Sequence, residues 1–285
     1  MSAYLRPTSL SEACAARAAH PEYVVVAGGT DWMVGQHRRP DPPGLLDLFG
    51  LPELTGVEER GAAVRIGAAT TYAALLGSRV VRERFDALWQ CAREVGAVQI
   101  QERGTLGGNV VTSSPVGDTL PVLLALDAEL ELTSSRGARR LPYAQFLTGY
   151  RKTALGADEL LAAVWLPLPA PGTHQFWRKV GTRRAQAISK VMVAGVARRD
   201  GPTIAHARLA MGAVADRPVR LPGVEALLVG QVPDAALAER VRARVRAEIQ
   251  PITDVRSTRD YRLAAAANLA ARFVLELAER AGSGP

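Results

Sequence analysis

Gly104-Thr105-Leu106-Gly107-Gly108-Asn109-Val110-Val111-Thr112-Ser113-Ser114-Pro115-Val116-Gly117-Asp118 sets glycines, hydroxyls, an amide and a carboxylate between two apolar runs. Glycine at 104, 107 and 108 lets the backbone approach a bound group closely and turn successive N–H donors onto an anion such as a diphosphate. Thr112, Ser114 and Asp118 add hydroxyls and an acceptor suited to sugar or polyol oxygens. Upstream, Tyr23-Val24-Val25-Val26-Ala27 reads as a short buried strand, and it stops at Gly28-Gly29-Thr30-Asp31, a second place where N–H donors can face phosphate. Neither turn has the G-x-G-x-x-G spacing of a dinucleotide fold or the G-x-x-x-x-G-K-[ST] spacing of a phosphate loop, so Rossmann and nucleotide-triphosphatase readings lose support. Taken singly, each turn reads equally well as a simple chain reversal.

The 285 residues suffice for a full hydrophobic core and two domains. No apolar stretch reaches the roughly 18 residues of a bilayer span, and Met1-Ser2-Ala3-Tyr4-Leu5-Arg6-Pro7 lacks a cationic start followed by an apolar signal core. A cytoplasmic protein is expected. Cys14 and Cys91 are the only cysteines, which excludes a disulfide framework and any iron–sulfur cluster held by four thiolates of this chain. Both fall in helix-like segments, 10–19 and 85–95, where they read as small buried side chains. The net charge of +7 is carried almost wholly by arginine, scattered as in Val241-Arg242-Ala243-Arg244-Val245-Arg246. With no recognition motif or aromatic platform beside it, this charge is read as a solvated face or a surface for acidic partners, not a nucleic-acid site. His20, His37, His174 and His206 lie far apart, in no metal-ligand spacing.

A hydroxyl cap at Thr8-Ser9 opens the first helix, the Val24–Val26 strand follows, and short strands and helices are expected to alternate through Trp165. Pro167-Leu168-Pro169-Ala170-Pro171-Gly172 breaks the pattern and marks a domain boundary. Beyond it come three strand-like segments (174–180, 188–198, 204–214) and two helices, 234–249 and 259–281. The second helix puts Leu263, Ala266, Leu269, Ala270, Phe273, Leu277 and Ala278 on one stripe, as a helical layer over a small sheet requires.

Four ordered motifs then resemble one family, the FAD-binding or medium subunit of the molybdenum hydroxylases, which includes xanthine dehydrogenase and aerobic carbon monoxide dehydrogenase. Ala27-Gly28-Gly29-Thr30-Asp31 resembles its first flavin loop. Thr105-Leu106-Gly107-Gly108-Asn109 through Ser114-Pro115 to Asp118 resembles its second. Phe146-Leu147-Thr148-Gly149-Tyr150-Arg151-Lys152-Thr153, with Asp158-Glu159-Leu160-Leu161, resembles the segment closing the flavin domain, particularly in the xanthine dehydrogenase branch. Pro251-Ile252-Thr253-Asp254-Val255-Arg256-Ser257-Thr258 and Tyr261-Arg262 resemble the C-terminal domain signature.

The resemblance implies an α+β chain: an FAD-binding domain of the PCMH type over 1–170, in two α/β subdomains split near 55–60, then a C-terminal domain over 171–285 with a three-stranded antiparallel sheet and helices. It implies FAD on this chain, with the molybdenum cofactor on a large partner subunit and 2Fe-2S clusters on a small one. Electrons would pass to NAD or oxygen, and the xanthine-dehydrogenase-like segment tilts the substrate toward purines or related heterocycles. Two cysteines suit that division of labour. By the same resemblance, Gly28, Gly29 and Thr30, with Ala27, bind the diphosphate from one side and Gly107, Gly108 and Asn109 from the other. Thr105, Thr112, Ser114 and Asp118 match positions contacting the adenosine, diphosphate or ribityl portions. Leu161 matches a position beside the isoalloxazine ring, and Lys179 a lysine near its pyrimidine edge, where a cation would stabilise the anionic reduced flavin. Asp31, repulsive beside a diphosphate unless it points away or accepts from backbone N–H groups, is assigned a loop-shaping role. No residue is assigned a catalytic or metal-binding role. A stand-alone flavin oxidoreductase and a flavin-free assembly subunit are the alternatives.

Overall fold

The computed structural model describes residues 2–183 and 186–282; the side chain of His37 lies outside the described part. The chain opens with β1 (Ala3–Leu5), α1 (Leu10–Ala19), β2 (Val24–Val26) and β3 (Gly44–Asp47). Ser9 starts α1 by accepting from the Glu12 N–H at 3.2 Å, the hydroxyl cap legible in the sequence. The three strands form a small parallel sheet in the order β1-β3-β2. Its β2 end delivers residues 27–32 to the sheet edge, where ligands of parallel sheets usually gather.

A second sheet follows, antiparallel, in the order β4-β5-β10-β6-β7, with β4 at Val57–Arg60, β5 at Ala63–Gly67, β6 at Glu129–Ser134, β7 at Gly137–Pro142 and β10 at Leu160–Pro167. The expected strand–helix alternation fails here. Helices α2 (Tyr72–Gly77), α3 (Arg79–Arg84), α4 (Asp86–Glu94), α5 (Val98–Arg103), α6 (Leu106–Thr112) and α7 (Thr119–Ala125) run consecutively between β5 and β6. Single hydroxyls and glycines cut this helical run into pieces too short for a 3.6-residue pattern to declare itself. After β7 come α8 (Tyr143–Phe146) and the two-stranded β8 (Leu147–Gly149) and β9 (Lys152–Thr153).

The C-terminal sheet contains the three long strands expected, β11 (His174–Val180), β12 (Val191–Asp200) and β13 (Thr203–Gly212), and adds a two-residue edge strand, β14 (Val219–Arg220). The helices α9 (Pro222–Leu228), α10 (Ala235–Glu248) and α11 (Arg259–Gly282) follow; α9 was not read from the sequence. Both faces of this sheet are covered, which explains the unbroken apolar run at 191–197. Met192, Ala194, Val196 and Ala210 on the strands against α7, and Trp177 on β11 against α4, join the core of the preceding domain. Phe176, Val191, Val193, Leu209 and Met211 alternate with them and face the helical layer. Along α11, Ala266, Ala270, Phe273 and Leu277 are buried as their stripe predicts. Helix α7 is wholly buried because it lies against this sheet on one side and α4 and α6 on the other. Through α7 the C-terminal sheet is held against the rim of the cavity described next.

Candidate functional site

A cavity of about 740 Å³ opens where the two glycine loops meet, and thirteen of the fourteen residues singled out in the sequence line it, all except Lys179. Its walls come from the loop after β2, the start of α6, the loop from α6 to α7, the segment before β10, and residues 187, 188 and 256 of the C-terminal domain.

The two loops touch backbone to backbone. A Cβ on Gly28 would lie 1.7 Å from the carbonyl oxygen of Arg103, so that position admits no side chain. Gly29 has φ +72°, and its carbonyl accepts from the Met33 N–H at 2.9 Å, which closes the turn. Among the described residues, the N–H groups of Gly28, Gly29, Thr30 and Asp31 meet no protein acceptor. A run of donors left open at a cavity wall is what an anionic group needs.

The second loop is built differently. Thr105 caps α6, its Oγ1 accepting from the Gly108 N–H at 3.0 Å. Leu106 and Gly107 donate to the carbonyls of Thr70 and Ala68, at 3.0 and 2.8 Å, and Asn109 donates to Thr105 at 3.1 Å. The N–H groups expected to converge on a diphosphate from this side are therefore already engaged within the protein. What the glycines supply is room. A Cβ on Gly107 would press to 2.6 Å from Ala68, so Gly107 lets α6 lie against the end of β5, whereas one on Gly108 would meet only the Thr105 hydroxyl, at 2.8 Å. Asn109 is oriented by the Thr119 hydroxyl, which donates to its Oδ1 at 2.6 Å and turns the amide nitrogen outward as a donor.

Two further expectations need correcting. Asp31 does not hold its loop by accepting from N–H groups; it is exposed, with an oxygen 4.0 Å from Arg151 of the β8–β9 turn. Asp118 lines the cavity but is not an unpaired acceptor, since both of its oxygens are already engaged within the protein. Its Oδ2 pairs with Lys179 Nζ at 2.6 Å, and its Oδ1 accepts from the Ser189 hydroxyl at 2.7 Å. Lys179 is neither a surface lysine nor a wall of the cavity; it lies buried behind Asp118. Burial pushes the Asp118 carboxyl above its ordinary value, against the pull of Lys179 and Ser189. Thr112 and Ser114 line the cavity, Ser114 within a turn closed by the Gly117 N–H on its carbonyl. Leu161 stands where the β10–β6 register shifts, a bulge that interrupts the ladder at the cavity wall.

Sequence reasoning missed Arg17, Trp32, Arg39, Ile188 and Arg256 on the walls. Arg151 and Arg256 fell inside quoted motifs, so the motif was visible although the side-chain role was not. Arg256 is placed by a loop that Asp254 organises: its Oδ1 accepts from the N–H groups of Arg256 and Ser257 at 2.9 and 3.1 Å and from Arg262 Nη2 at 2.8 Å. Partial burial alone would raise the Asp254 carboxyl, but these bonds outweigh it and hold it below the usual range. A depressed carboxyl contributes stability that is present above its unfolded value, about 3.9, and is lost as pH falls through the folded one. The stability gap between wild type and Asp254→Asn, read by urea unfolding, is therefore expected to be constant from pH 7 to about 5 and to close below about 4. A gap that widens on acidification would contradict the assignment.

No helix of the described residues is long and apolar enough to cross a membrane. Residues 1–169 match the profile of the FAD binding domain in molybdopterin dehydrogenase, and residues 177–277 that of the CO dehydrogenase flavoprotein C-terminal domain. The xanthine dehydrogenase FAD-binding subunit of Escherichia coli O157:H7 is 29% identical over 283 residues, covering 98% of this chain and 97% of that one. The nicotine 6-hydroxylase medium subunit of Paenarthrobacter nicotinovorans is 29% identical over 280 residues, covering 97% of each chain. Among solved structures, a carbon monoxide dehydrogenase chain from Hydrogenophaga pseudoflava superposes with a TM-score of 0.93 at 28% identity, with 98% of both chains covered. Quinoline 2-oxidoreductase from Pseudomonas putida 86 gives 0.92 at 27%, covering 99% of this chain and 98% of that one. With the open N–H donors of the first loop and the glycine-lined approach of the second, these likenesses show that the chain belongs to the FAD-binding medium subunits of the xanthine dehydrogenase and CO dehydrogenase type of molybdenum hydroxylase, the electron-transfer flavoproteins of those enzymes.

Proposed function

We propose that this chain holds FAD in the cavity between its loops and relays electrons from a partner 2Fe-2S subunit, itself fed by a molybdenum-cofactor subunit, to NAD or oxygen. The observation that carries this reading is the row of N–H groups at 28–31, which belong to residues lining the cavity and meet no protein acceptor among the described residues. These donors hold the diphosphate. The second loop contributes the close approach at Gly108 and the outward amide of Asn109, Thr112 and Ser114 offer hydroxyls, and Leu161 borders the ring. Bound FAD supplies the reversible electron storage that no side chain provides.

A relay rather than a self-contained enzyme is supported by the state of the cavity's ionisable groups. Asp118 is neutralised by Lys179, and Glu159 is held by Arg139 and by the Gly156 N–H. Tyr72 is pushed upward by burial and stays protonated. Arg17, Arg39, Arg151 and Arg256 are permanently charged. Asp31 is the wall carboxylate left in solvent, 4.0 Å from Arg151, and among the described residues no acid–base pair is set up beside it. Relatives named for xanthine and for nicotine match this chain at 29% identity over nearly its full length, which supports selection of the hydroxylated substrate on the molybdenum subunit.

The first test is to purify the chain, add FAD, and measure flavin released on denaturation. Stoichiometric, releasable FAD without turnover of any substrate supports the relay; a folded chain that takes up none overturns it. Gly108→Val, which projects into the cavity while leaving β5–α6 packing intact, is expected to lose at least nine-tenths of the bound FAD with the C-terminal domain still folded by circular dichroism. Undiminished FAD in that variant would remove the second loop from the site.

A further inference from the structure

We infer that Asp118 is a positioning residue whose charge offsets that of Lys179, so that the pair together, locked by Ser189, sets how readily the flavin in this cavity accepts electrons. The inference rests on the flavin reading above. Lys179 alone, as the sequence suggested, would act as a naked cation and favour negative charge in the cavity. The geometry places a carboxylate between them: Asp118 lines the cavity, and Lys179 does not. Their side chains are 11% and 4% exposed and 2.6 Å apart, so little solvent screens the pair. Its negative end faces the cavity, and charge gained there is opposed rather than welcomed.

The arrangement is locked from the second domain. Lys179 is the next-to-last residue of β11, and Ser189, itself fully buried, precedes β12. The Lys190 N–H donates to the Val180 carbonyl at 2.7 Å, and Ala187 and Ile188, just before Ser189, stand in the cavity wall. Asp118 thus ties Lys179 of β11 and Ser189 before β12 to the loop before α7. Lys179 also reaches the Glu94 carbonyl at 3.5 Å. The other titratable groups that Asp118 acts on are Tyr72 and Cys91; burial and the Asp118 charge both push them upward, so they stay neutral. Lys179 is then the group that balances the carboxylate.

Asp118→Asn keeps both hydrogen bonds, because an amide can accept from Lys179 and donate to a rotated Ser189 hydroxyl, while the charge is lost. Lys179→Gln removes the opposite charge. The test measures FAD content first and then the midpoint potential of the bound flavin by dye-linked titration at fixed pH. Asp118→Asn is expected to shift the two-electron reduction equilibrium at least tenfold toward reduction, about 30 mV upward, and Lys179→Gln to shift it the other way. The double variant should return most of the way to wild type. Wild type without FAD would defeat the flavin reading itself. Wild type with FAD but unshifted potentials in both variants, or shifts of one sign, would overturn the charge-balance inference and leave that reading standing. If both variants fold, as judged by circular dichroism, yet hold no FAD, the pair serves binding rather than potential, and the inference fails in that way too.

Discussion

Gly28→Ala is expected to leave the chain with less than a tenth of the wild-type FAD. The added methyl would lie 1.7 Å from the Arg103 oxygen and 2.5 Å from its carbonyl carbon, distances at which one backbone must move. The Arg103 side cannot move cheaply, because the next residue, Gly104, donates to Ile100 at 2.6 Å and accepts from the Tyr72 N–H at 3.1 Å, which fixes the end of α5 to the start of α2. The first loop would have to swing off the second, and its N–H groups would leave the cavity together. Gly29→Ala is the informative contrast. There a methyl would meet only the Met33 side chain, at 3.7 Å, and the penalty is the positive φ, about 1–2 kcal/mol. Flavin content and thermal midpoint of the two variants, measured side by side, separate contact from conformation. Equal losses would mean that the loop conformation, and not the contact between loops, is what the cavity depends on.

Arg262→Met is expected to cause the largest loss of stability in the C-terminal domain. Arg262 is almost wholly buried in α11 and donates to the carbonyls of Lys190 and Ala213, at 2.7 and 3.0 Å, as well as to Asp254. Methionine fills much of the space but leaves two carbonyls without their donor and takes from Asp254 its charged partner, leaving it the N–H groups of Arg256 and Ser257. Breaking a buried charged contact from one side costs on the order of 3–5 kcal/mol. The urea midpoint should fall accordingly. Because the Asp254 loop also places Arg256, FAD uptake should weaken in a chain that remains folded. A variant unfolding within about 1 kcal/mol of wild type would show that water satisfies these groups.

The cavity's outline was legible in the sequence because its parts are local. Each glycine loop is continuous, and a run such as Ala27 to Asp31 carries its own geometry in the absence of side chains. The alternating faces of the C-terminal strands and the stripe along α11 were legible for the same reason: periodicity is a property of neighbours. What could not be read was pairing at a distance. Asp118 and Lys179 are 61 residues apart, and Asp118 and Ser189 are 71. In isolation, an acidic residue after a glycine loop and a lysine on a strand each suggest a ligand contact, and only their meeting shows that both charges are spent on each other. The engaged N–H groups of Leu106 and Gly107 were hidden likewise, since their acceptors, Thr70 and Ala68, lie on another element. Of the short helices, α4 was legible as the helix-like segment 85–95, whereas the unbroken succession α2 to α7 was not, because most of its pieces are too short to display a period.

The meeting of Gly28 with the Arg103 carbonyl carries one more consequence. The cavity's donors belong to the small parallel sheet, while the surface they close against belongs to the larger antiparallel body, so the binding surface exists only when the two are docked. A ligand that recognises only the docked arrangement adds RT ln(1 + [L]/Kd) to its stability, about 2.7 kcal/mol when free ligand is a hundredfold above Kd. Cofactor supply and conformational integrity thereby become one variable: starved of its ligand, the chain would first loosen at the seam between its two halves, and that is where a protease would find it.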